Sequence, residues 1–166
     1  MIKWLKSLFR GSPSIDDYNL SEEDKEILQQ KPISRKRMVL TWGETDLLAQ
    51  LKGALASTDT VVIGMDDGSG RPPQPYEITR NDLEWASEVY VVIDHAAERA
   101  QSGDFRKAIQ LYKAALKLAP GCDMFLMSIG SCYANLGDRK TAKCYLQRAA
   151  EISPHNDRIR KNLKAL

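Results

Sequence analysis

The sequence predicts a mostly α-helical protein in which a stack of α-α hairpins follows a small N-terminal α or α/β segment. Three observations predict this fold class. Residues 89–122 and 123–156 are consecutive segments of 34 residues that carry the same small, turn-forming and chain-stopping residues. Residues 82–101 place apolar side chains at helical spacing. Runs with strand character occur only within residues 37–65.

The identities between the two segments fall where a helical hairpin needs particular residues. Alanine lets facing helices approach closely, glycine suits a left-handed cap at the end of a helix, and proline stops a helix. Each segment is therefore predicted to be a helix, a tight turn and a second helix. The matched pairs are Ala100 and Ala134, Gly103 and Gly137, Asp104 and Asp138, Ala108 and Ala142, Ala115 and Ala149, and Pro120 and Pro154.

This pattern resembles the tetratricopeptide repeat family over residues 89–156. The family's small residue in the first helix is met by Ala96 and Gly130, and two of its aromatic positions are filled by Tyr112 and Tyr133. The resemblance implies stacked antiparallel hairpins that bind another protein and carry out no catalysis.

Three parts of the chain are predicted. Residues 1–13 are an amphipathic helix and linker, residues 14–78 are an α or α/β segment, and residues 79–166 are a tetratricopeptide-like domain. The domain comprises the repeats 89–122 and 123–156 and a capping helix over 157–166.

The N-terminal α or α/β segment is expected to pack on the repeats. Repeat arrays need roughly three stacked units for stability, and this chain has only two. The helix at 82–101 is also apolar on two sides, so it needs a neighbour on each side. The residues expected to meet are Leu47, Leu48, Leu51 and Leu55 on one side and Trp85, Val89 and Val92 on the other.

Within this segment the spacing predicts helices at 16–30 and 46–56 and strands at 37–42 and 60–65. A strand, a helix and a strand over about 30 residues can form a small βαβ unit. Residues 65–75 contain glycines and prolines and are predicted to be a turn and an exposed linker.

Two helix starts are marked by a hydroxyl residue followed three residues later by an aspartate. The pairs are Ser21 with Asp24 and Thr79 with Asp82. The side-chain oxygen of the first residue can accept from an amide of the first turn. Both pairs therefore predict N-caps.

The resemblance implies a concave wall built from the first helix of each repeat and the capping helix. An apolar strip that contains methionine beside a basic end suits an amphipathic helix or a hydrophobic peptide with acidic flanks. A clamp for a peptide carboxylate, known in some members of the family, is predicted to be absent because only Arg158 matches it. Two interpretations stay open: these residues bind a partner, or the N-terminal segment covers them. They are Tyr90, Ile93, Ala97, Gln101, Met124, Met127, Ser131, Asn135, Arg158 and Lys161.

Residues 1–10 separate apolar from cationic side chains on a helical wheel. Such a segment suits a membrane interface or a hydrophobic groove. Docking on the protein's own body or on a partner and anchoring at the membrane surface both remain open. The apolar side consists chiefly of Trp4, Leu5, Leu8 and Phe9.

Composition excludes several classes of protein. The formal net charge of +2 is too small to indicate nucleic acid or membrane by itself. No apolar run approaches the roughly 20 residues of a membrane span, and no secretory signal is visible. Three cysteines without a CxxC motif predict free, largely buried thiols. Cytoplasmic residence is expected, with the inner face of a membrane as a variant.

Catalytic and cofactor signatures are not visible. The chain has two histidines without paired metal-ligand spacing, and no nucleophile or phosphate-loop motif. Basic residues at 34–37 and 158–164 are not interleaved with aromatic residues, so nucleic-acid binding is not predicted. The sequence thus predicts a cytoplasmic adaptor without enzymatic activity, metal or cofactor. The alternative is a self-associating scaffold, and the oligomeric state is not predicted.

Overall fold

The computed structural model describes residues 18–42, 45–65 and 71–166. These ranges are mostly helical, with one small sheet, and this confirms the predicted fold class. The amphipathic stretch at 1–10 lies outside the described residues. In chain order the elements are α1 Glu22–Gln29, α2 Arg35–Trp42, α3 Thr45–Ala54, β1 Thr60–Met65, β2 Gln74–Thr79, α4 Arg80–Gln101, α5 Phe105–Leu118, α6 Asp123–Asn135, α7 Arg139–Ile152 and α8 Asp157–Ala165.

The helices α4 to α7 form the two predicted hairpins, each packed on the next, and α8 packs on α7. Both hairpin turns contain a glycine with positive φ, Gly103 at 82° and Gly137 at 84°. The aspartate that follows each glycine is the N-cap of the next helix. Asp104 accepts from the amide of Lys107, and Asp138 accepts from the amide of Thr141. The Gly-Asp pair therefore ends one helix and begins the next.

Small residues set the close approach of these helices. The alanines that the repeats share in their second helices are fully buried. A Cβ atom added to Gly130 would lie 2.8 Å from the Cγ atom of Leu146, so α6 and α7 leave no room for a side chain at this point.

The predicted βαβ unit is wrong, because residues 35–42 form a helix instead of a strand. Its consecutive residues Met38, Val39 and Leu40 are all buried, so an apolar run of this length does not distinguish a strand from a helix. Ser34 supplies the signal for a helix that sequence reasoning missed. Its hydroxyl accepts from the amide of Arg37 at 3.4 Å.

The sheet is an antiparallel hairpin of β1 and β2. The strand at 60–65 was predicted correctly, whereas the predicted linker at 65–75 overlaps β2, which begins at Gln74. Pro75 stands opposite Gly64 in the ladder. A proline is tolerated there because each strand of a two-stranded sheet is an edge strand.

Both predicted N-caps are present. The amide of Asp24 donates to the Oγ atom of Ser21 at 3.1 Å, and α1 starts at the next residue, Glu22. At the start of α4, the side chains of Thr79 and Asp82 each accept from the backbone amide of the other. This reciprocal arrangement is a capping box.

The N-terminal part of the chain contacts the repeats at two separate places. The first is the main core, where Ile27 and Leu28 of α1 pack with apolar residues of α4 to α7. The second is a smaller core that includes Leu51 and Leu55 of α3, with Leu83 and Trp85 packed against it. The smaller core thereby covers the start of α4.

The cysteines are buried free thiols, as predicted. Burial raises the pKa of Cys122 to about 12 and the pKa values of Cys132 and Cys144 to about 11. Among the described residues, no helix combines the length and the apolar character that crossing a bilayer requires.

Candidate functional site

The inner groove is the surface where α4, α6 and α8 come together above the start of α5. It holds a depression of about 240 Å³ whose lining mixes apolar and uncharged polar side chains with one cation. The lining residues are Ala100, Phe105, Tyr112, Met127, Ser128, Ser131, Cys132, Asn135, Arg158 and Asn162.

Ser131 is the centre of the polar side of the inner groove. Its hydroxyl donates to the carbonyl of Met127 at 3.0 Å and accepts from the side-chain amide of Asn162 at 3.2 Å. The side-chain amide of Asn135 donates to the carbonyl of Ser131 at 2.8 Å. The bond from Asn162 connects α8 to α6, and the other two lie within α6, so these polar groups are already partnered before any ligand arrives.

The floor of the inner groove comes from the hairpin core. Tyr112 of α5 is buried, and burial raises the pKa of its hydroxyl, which shares a side-chain hydrogen bond with Ser128. Met127 is also buried, and its flexible thioether can adapt to differently shaped apolar groups. The floor therefore offers apolar contact while the polar groups on it are already bonded.

The open end of the inner groove is positive. Arg158 and Lys161 of α8 are exposed, and neither forms an ion pair with another residue in the described ranges. The depression has no acidic residue in its lining. An acidic ligand group would consequently meet cations that have no competing partner inside the site.

The structure brings together four of the residues predicted for the concave wall. Met127, Ser131, Asn135 and Arg158 line the same depression. The remaining exposed or half-buried positions lie along α4, at the start of α6 and on α8. They are Ile93, Ala97, Gln101, Met124 and Lys161.

Tyr90, a predicted wall residue, is covered by the N-terminal segment. Only 9% of its surface is exposed, because α2 lies over it and its hydroxyl donates to the carbonyl of Leu40 at 3.1 Å. The N-terminal segment thus covers this end of the wall, which was the second of the two interpretations of the sequence. The rest of the inner groove is outside that contact.

Sequence reasoning missed several contributors to the depression, among them Phe105, Tyr112 and Asn162. The first two lie on α5, the second helix of a hairpin, whereas the prediction considered only first helices and the capping helix. Tyr112 already stood out as an aromatic residue at a family position. Asn162 is four residues after Arg158 and one after Lys161, so the helical wheel of α8 would have placed it beside the predicted face.

The stacked hairpins and the groove between their first helices define a helical-repeat protein. Residues 99–166 match the family model described as tetratricopeptide repeat, which is less than half of the chain. The C-terminal part of the chain is therefore a tetratricopeptide-repeat segment, as the sequence pattern predicted. The match to the family model does not extend into the N-terminal part. A comparison with curated proteins found no match. Tetratricopeptide-repeat domains are, in general, protein–protein interaction modules.

Proposed function

We propose that this chain is a non-catalytic adaptor that binds a peptide or an amphipathic helix of another protein in the inner groove. The observation that carries the proposal is the depression itself. It combines an apolar floor, a polar side whose hydrogen bonds are already formed, and one cation, Arg158, without an acidic partner in the lining. This combination suits recognition by shape and charge.

The ligand is expected to insert one apolar side chain between α5 and α6 and to carry an acidic residue beside it. The apolar side chain would contact Phe105 and Met127 on the floor. The acidic residue would pair with Arg158 and Lys161 at the open end. Exposed ion pairs contribute only about 0.2–1 kcal/mol each, so the apolar contact supplies most of the affinity and the cations orient the ligand.

The contact of α2 with Tyr90 limits how far a ligand can extend along the groove. Ligand contacts are expected on the C-terminal half of α4, on α6 and on α8. A short peptide segment therefore fits this site better than a long helix.

The test uses a phage-displayed random peptide library selected against the full chain. The selected peptides should share an apolar residue flanked by an acidic residue. The double variant Arg158→Glu/Lys161→Glu should bind these peptides at least about tenfold more weakly, because it replaces attraction by repulsion at two exposed positions.

Lys164→Glu is the control, because Lys164 is also an exposed cation of α8 but lies one helical turn further from Arg158 than Lys161 does. It should bind the selected peptides as the wild type does. If the double variant and Lys164→Glu retain the peptides equally, the ligand does not bind at this end of the inner groove and the assignment of the site is wrong.

The proposal also includes cytoplasmic residence and a peripheral contact of residues 1–10 with a membrane surface. Trp4 and Phe9 beside the cations of this segment support such a contact. Flotation of the chain with anionic liposomes, with and without residues 1–10, tests it: loss of flotation on deletion is expected. Light scattering across a range of protein concentrations tests the alternative of a self-associating scaffold.

A further inference from the structure

A buried aspartate anchors α1 to the repeats. Asp24 is 5% exposed, and its carboxylate lies 2.7 Å from the Nζ atom of Lys113, which is itself 8% exposed. The hydroxyl of Tyr145 donates to the same carboxylate at 2.5 Å, and the hydroxyl of Tyr133 donates to it at 3.4 Å. Lysine and both tyrosines come from three different helices of the repeats, so together they form a receptor for one carboxylate.

Neighbouring groups keep both Asp24 and Lys113 ionised. Burial alone would raise the pKa of Asp24, but hydrogen bonds from Lys113, Ser21 and Tyr145 outweigh burial and hold that pKa below its usual value. Burial alone would lower the pKa of Lys113, but its bonds to Asp24 and Glu23 raise that pKa. Both groups are consequently charged at neutral pH.

Two aliphatic residues and the helix end complete the contact. Ile27 and Leu28, which follow Asp24 by one helical turn, are buried in the core of the hairpins. At the C-terminal end of α1, the Nη2 atom of Arg148 donates to the carbonyl of Gln30 at 2.9 Å. The repeats thus recognise α1 by a carboxylate, an aliphatic pair and a helix C-terminus.

The helix that occupies this surface is short. It has 8 residues, and isolated helices shorter than roughly 12–15 residues are marginal in water. Its helical form therefore depends on the surface beneath it. This is how an amphipathic helix behaves when it binds in a groove of another protein.

A second groove continues the positive charge beyond the N-terminal end of α1. It has a volume of about 380 Å³, and Glu23 is the residue of α1 that lines it. Arg106, Lys113 and Lys117 of α5 supply three cations to its wall. Within the described residues, Arg106 and Lys117 have no ion-pair partner. The charge of this groove is therefore only partly neutralised by α1.

We propose that this outer surface is a second docking site, which accepts an acidic amphipathic helix of another protein in the place that α1 occupies. The surface comprises the contact of α1 on α5 to α7 and the adjoining cationic groove. The partner helix would present a carboxylate one turn before two adjacent aliphatic residues, with further acids toward its N-terminus for Arg106 and Lys117. In this arrangement α1 is the internal competitor of the partner.

Charge is the reason for expecting an acidic helix. The cations Arg106, Lys113 and Lys117 belong to the repeats, whereas the acids that pair with Lys113, Glu23 and Asp24, belong to α1. A neutral helix would leave Lys113 buried beside the two tyrosines without its counter-charge, which is strongly unfavourable.

The experiment uses a labelled synthetic peptide of residues 18–33 as the acidic helix and measures its fluorescence anisotropy with the full chain. Asp24→Lys in the full chain places a second cation beside Lys113 and should release α1 without changing the receptor. This variant should bind the peptide at least about tenfold more tightly than the wild type, whose site is occupied. A peptide that carries Asp24→Lys should not bind.

Glu26→Lys is the matched control, because Glu26 is an exposed acid of the same helix. It should leave α1 docked and bind the peptide as weakly as the wild type. A charge exchange adds a second comparison: the full chain with Lys113→Glu should bind the Asp24→Lys peptide and reject the unmodified one. Equal binding by the Asp24→Lys and Glu26→Lys chains, with unchanged circular dichroism, would overturn the proposal.

Hydrogen exchange of the unmodified chain gives an independent result that no folding defect can obscure. If α1 exchanges places with a partner, its amides should exchange at least about 100-fold faster than those of α6 and α7. Equal protection would mean that α1 leaves only on global unfolding, which overturns the proposal.

If light scattering shows dimers of the wild type that the peptide dissociates, the occupant is α1 of a second copy and the assignment to another protein is wrong. None of these outcomes depends on the inner groove.

Discussion

The N-terminal part of the chain holds the repeats by two contacts of different chemistry. The outer contact, made by α1, is centred on a carboxylate that meets a lysine and two tyrosines, with two aliphatic residues beside it. The edge contact, made by α2, α3 and the β-hairpin, is an apolar cluster beside the start of α4, accompanied by a salt bridge of 2.7 Å between Lys36 and Asp82. One side-chain bond to a backbone carbonyl also spans the edge contact, since the hydroxyl of Tyr90 donates to Leu40.

The difference lies in how each contact responds to a change. Apolar burial is roughly proportional to area and does not depend on one geometry, so an apolar contact weakens gradually. A buried ion pair is stable only while both partners are present, and its net contribution is small because each charge has lost its water. The edge, where an apolar cluster accompanies its ion pair, is therefore expected to behave as a permanent part of the fold, whereas the outer contact, which is centred on its ion pair, is suited to reversible docking.

The largest effect is expected from opening a cavity at the edge contact. Ile78 is fully buried at 0% exposure between α3 and α4, and Ile78→Ala should lower the free energy of unfolding by about 3 kcal/mol. Val62 lies on the same hairpin at 67% exposure, so Val62→Ala should change it by less than about 0.5 kcal/mol. Urea denaturation measures both values. Equal effects would show that the hairpin does not share a core with the repeats.

The next effect concerns the outer contact. Asp24→Ala should lower the free energy of unfolding by about 2 kcal/mol, because Lys113 must then be buried unpaired or α1 must leave. In a double-mutant cycle with Lys113→Met, the second substitution should restore part of the loss, since it removes the unpaired charge. Glu26→Ala, at an exposed position of the same helix, serves as the control. Additive effects of the two substitutions would contradict a buried ion pair.

The two contacts also differ in how well the sequence predicted them. The helical hairpins, their turns and both N-caps followed from local signals, because glycine, aspartate and threonine act on the backbone within a few residues. The edge was predicted less well. Met38, Val39 and Leu40 are buried together, and a short apolar run contains no period that separates a helix from a strand. Only the hydroxyl of Ser34 marked the helix start.

The outer contact was not predictable from local patterns. Asp24 was identified as part of an N-cap, and it has that role, but its carboxylate also meets residues 89 and more positions away in the chain. The same limit applies to the inner groove. First-helix residues such as Ser131 could be assigned from the repeat pattern, whereas the covering of Tyr90 by Leu40 depends on a tertiary contact across 50 positions.

A third prediction concerns the segment that connects the two contacts. Gly121 has φ of 61°, and a Cβ atom added there would lie 2.6 Å from the Cα atom of Pro32. Gly121→Ala should therefore lower the free energy of unfolding by about 2 kcal/mol, from the positive φ together with the collision. Gly103 has a similar φ of 82° with open space around it, so Gly103→Ala measures the backbone cost alone, about 1 kcal/mol. Equal losses for the two variants would mean that Pro32 does not lie against this turn.

The smallest expected effect is the dependence of the outer contact on pH. The pKa of Asp24 is lowered from its ordinary 3.8, so the stability that this carboxylate contributes is complete above about pH 5 and is lost as the pH falls below 3.8. The pKa of Lys113 is raised from 10.5, so its contribution is present below that pH and is lost above it. The difference in unfolding free energy between the wild type and Asp24→Asn should thus be constant between about pH 5 and pH 9 and should shrink in acid, by at most about 1.4 kcal/mol per pH unit.

Asp82 at the edge contact also has a lowered pKa, because hydrogen bonds from Lys36 and Thr79 outweigh the effect of its burial. Asp82 is present in both the wild type and Asp24→Asn, so its titration cancels in the difference between their free energies of unfolding. Urea denaturation of the two proteins across this range measures the effect, and a difference that stays constant into strong acid would show that Asp24 does not titrate as the anchor of α1.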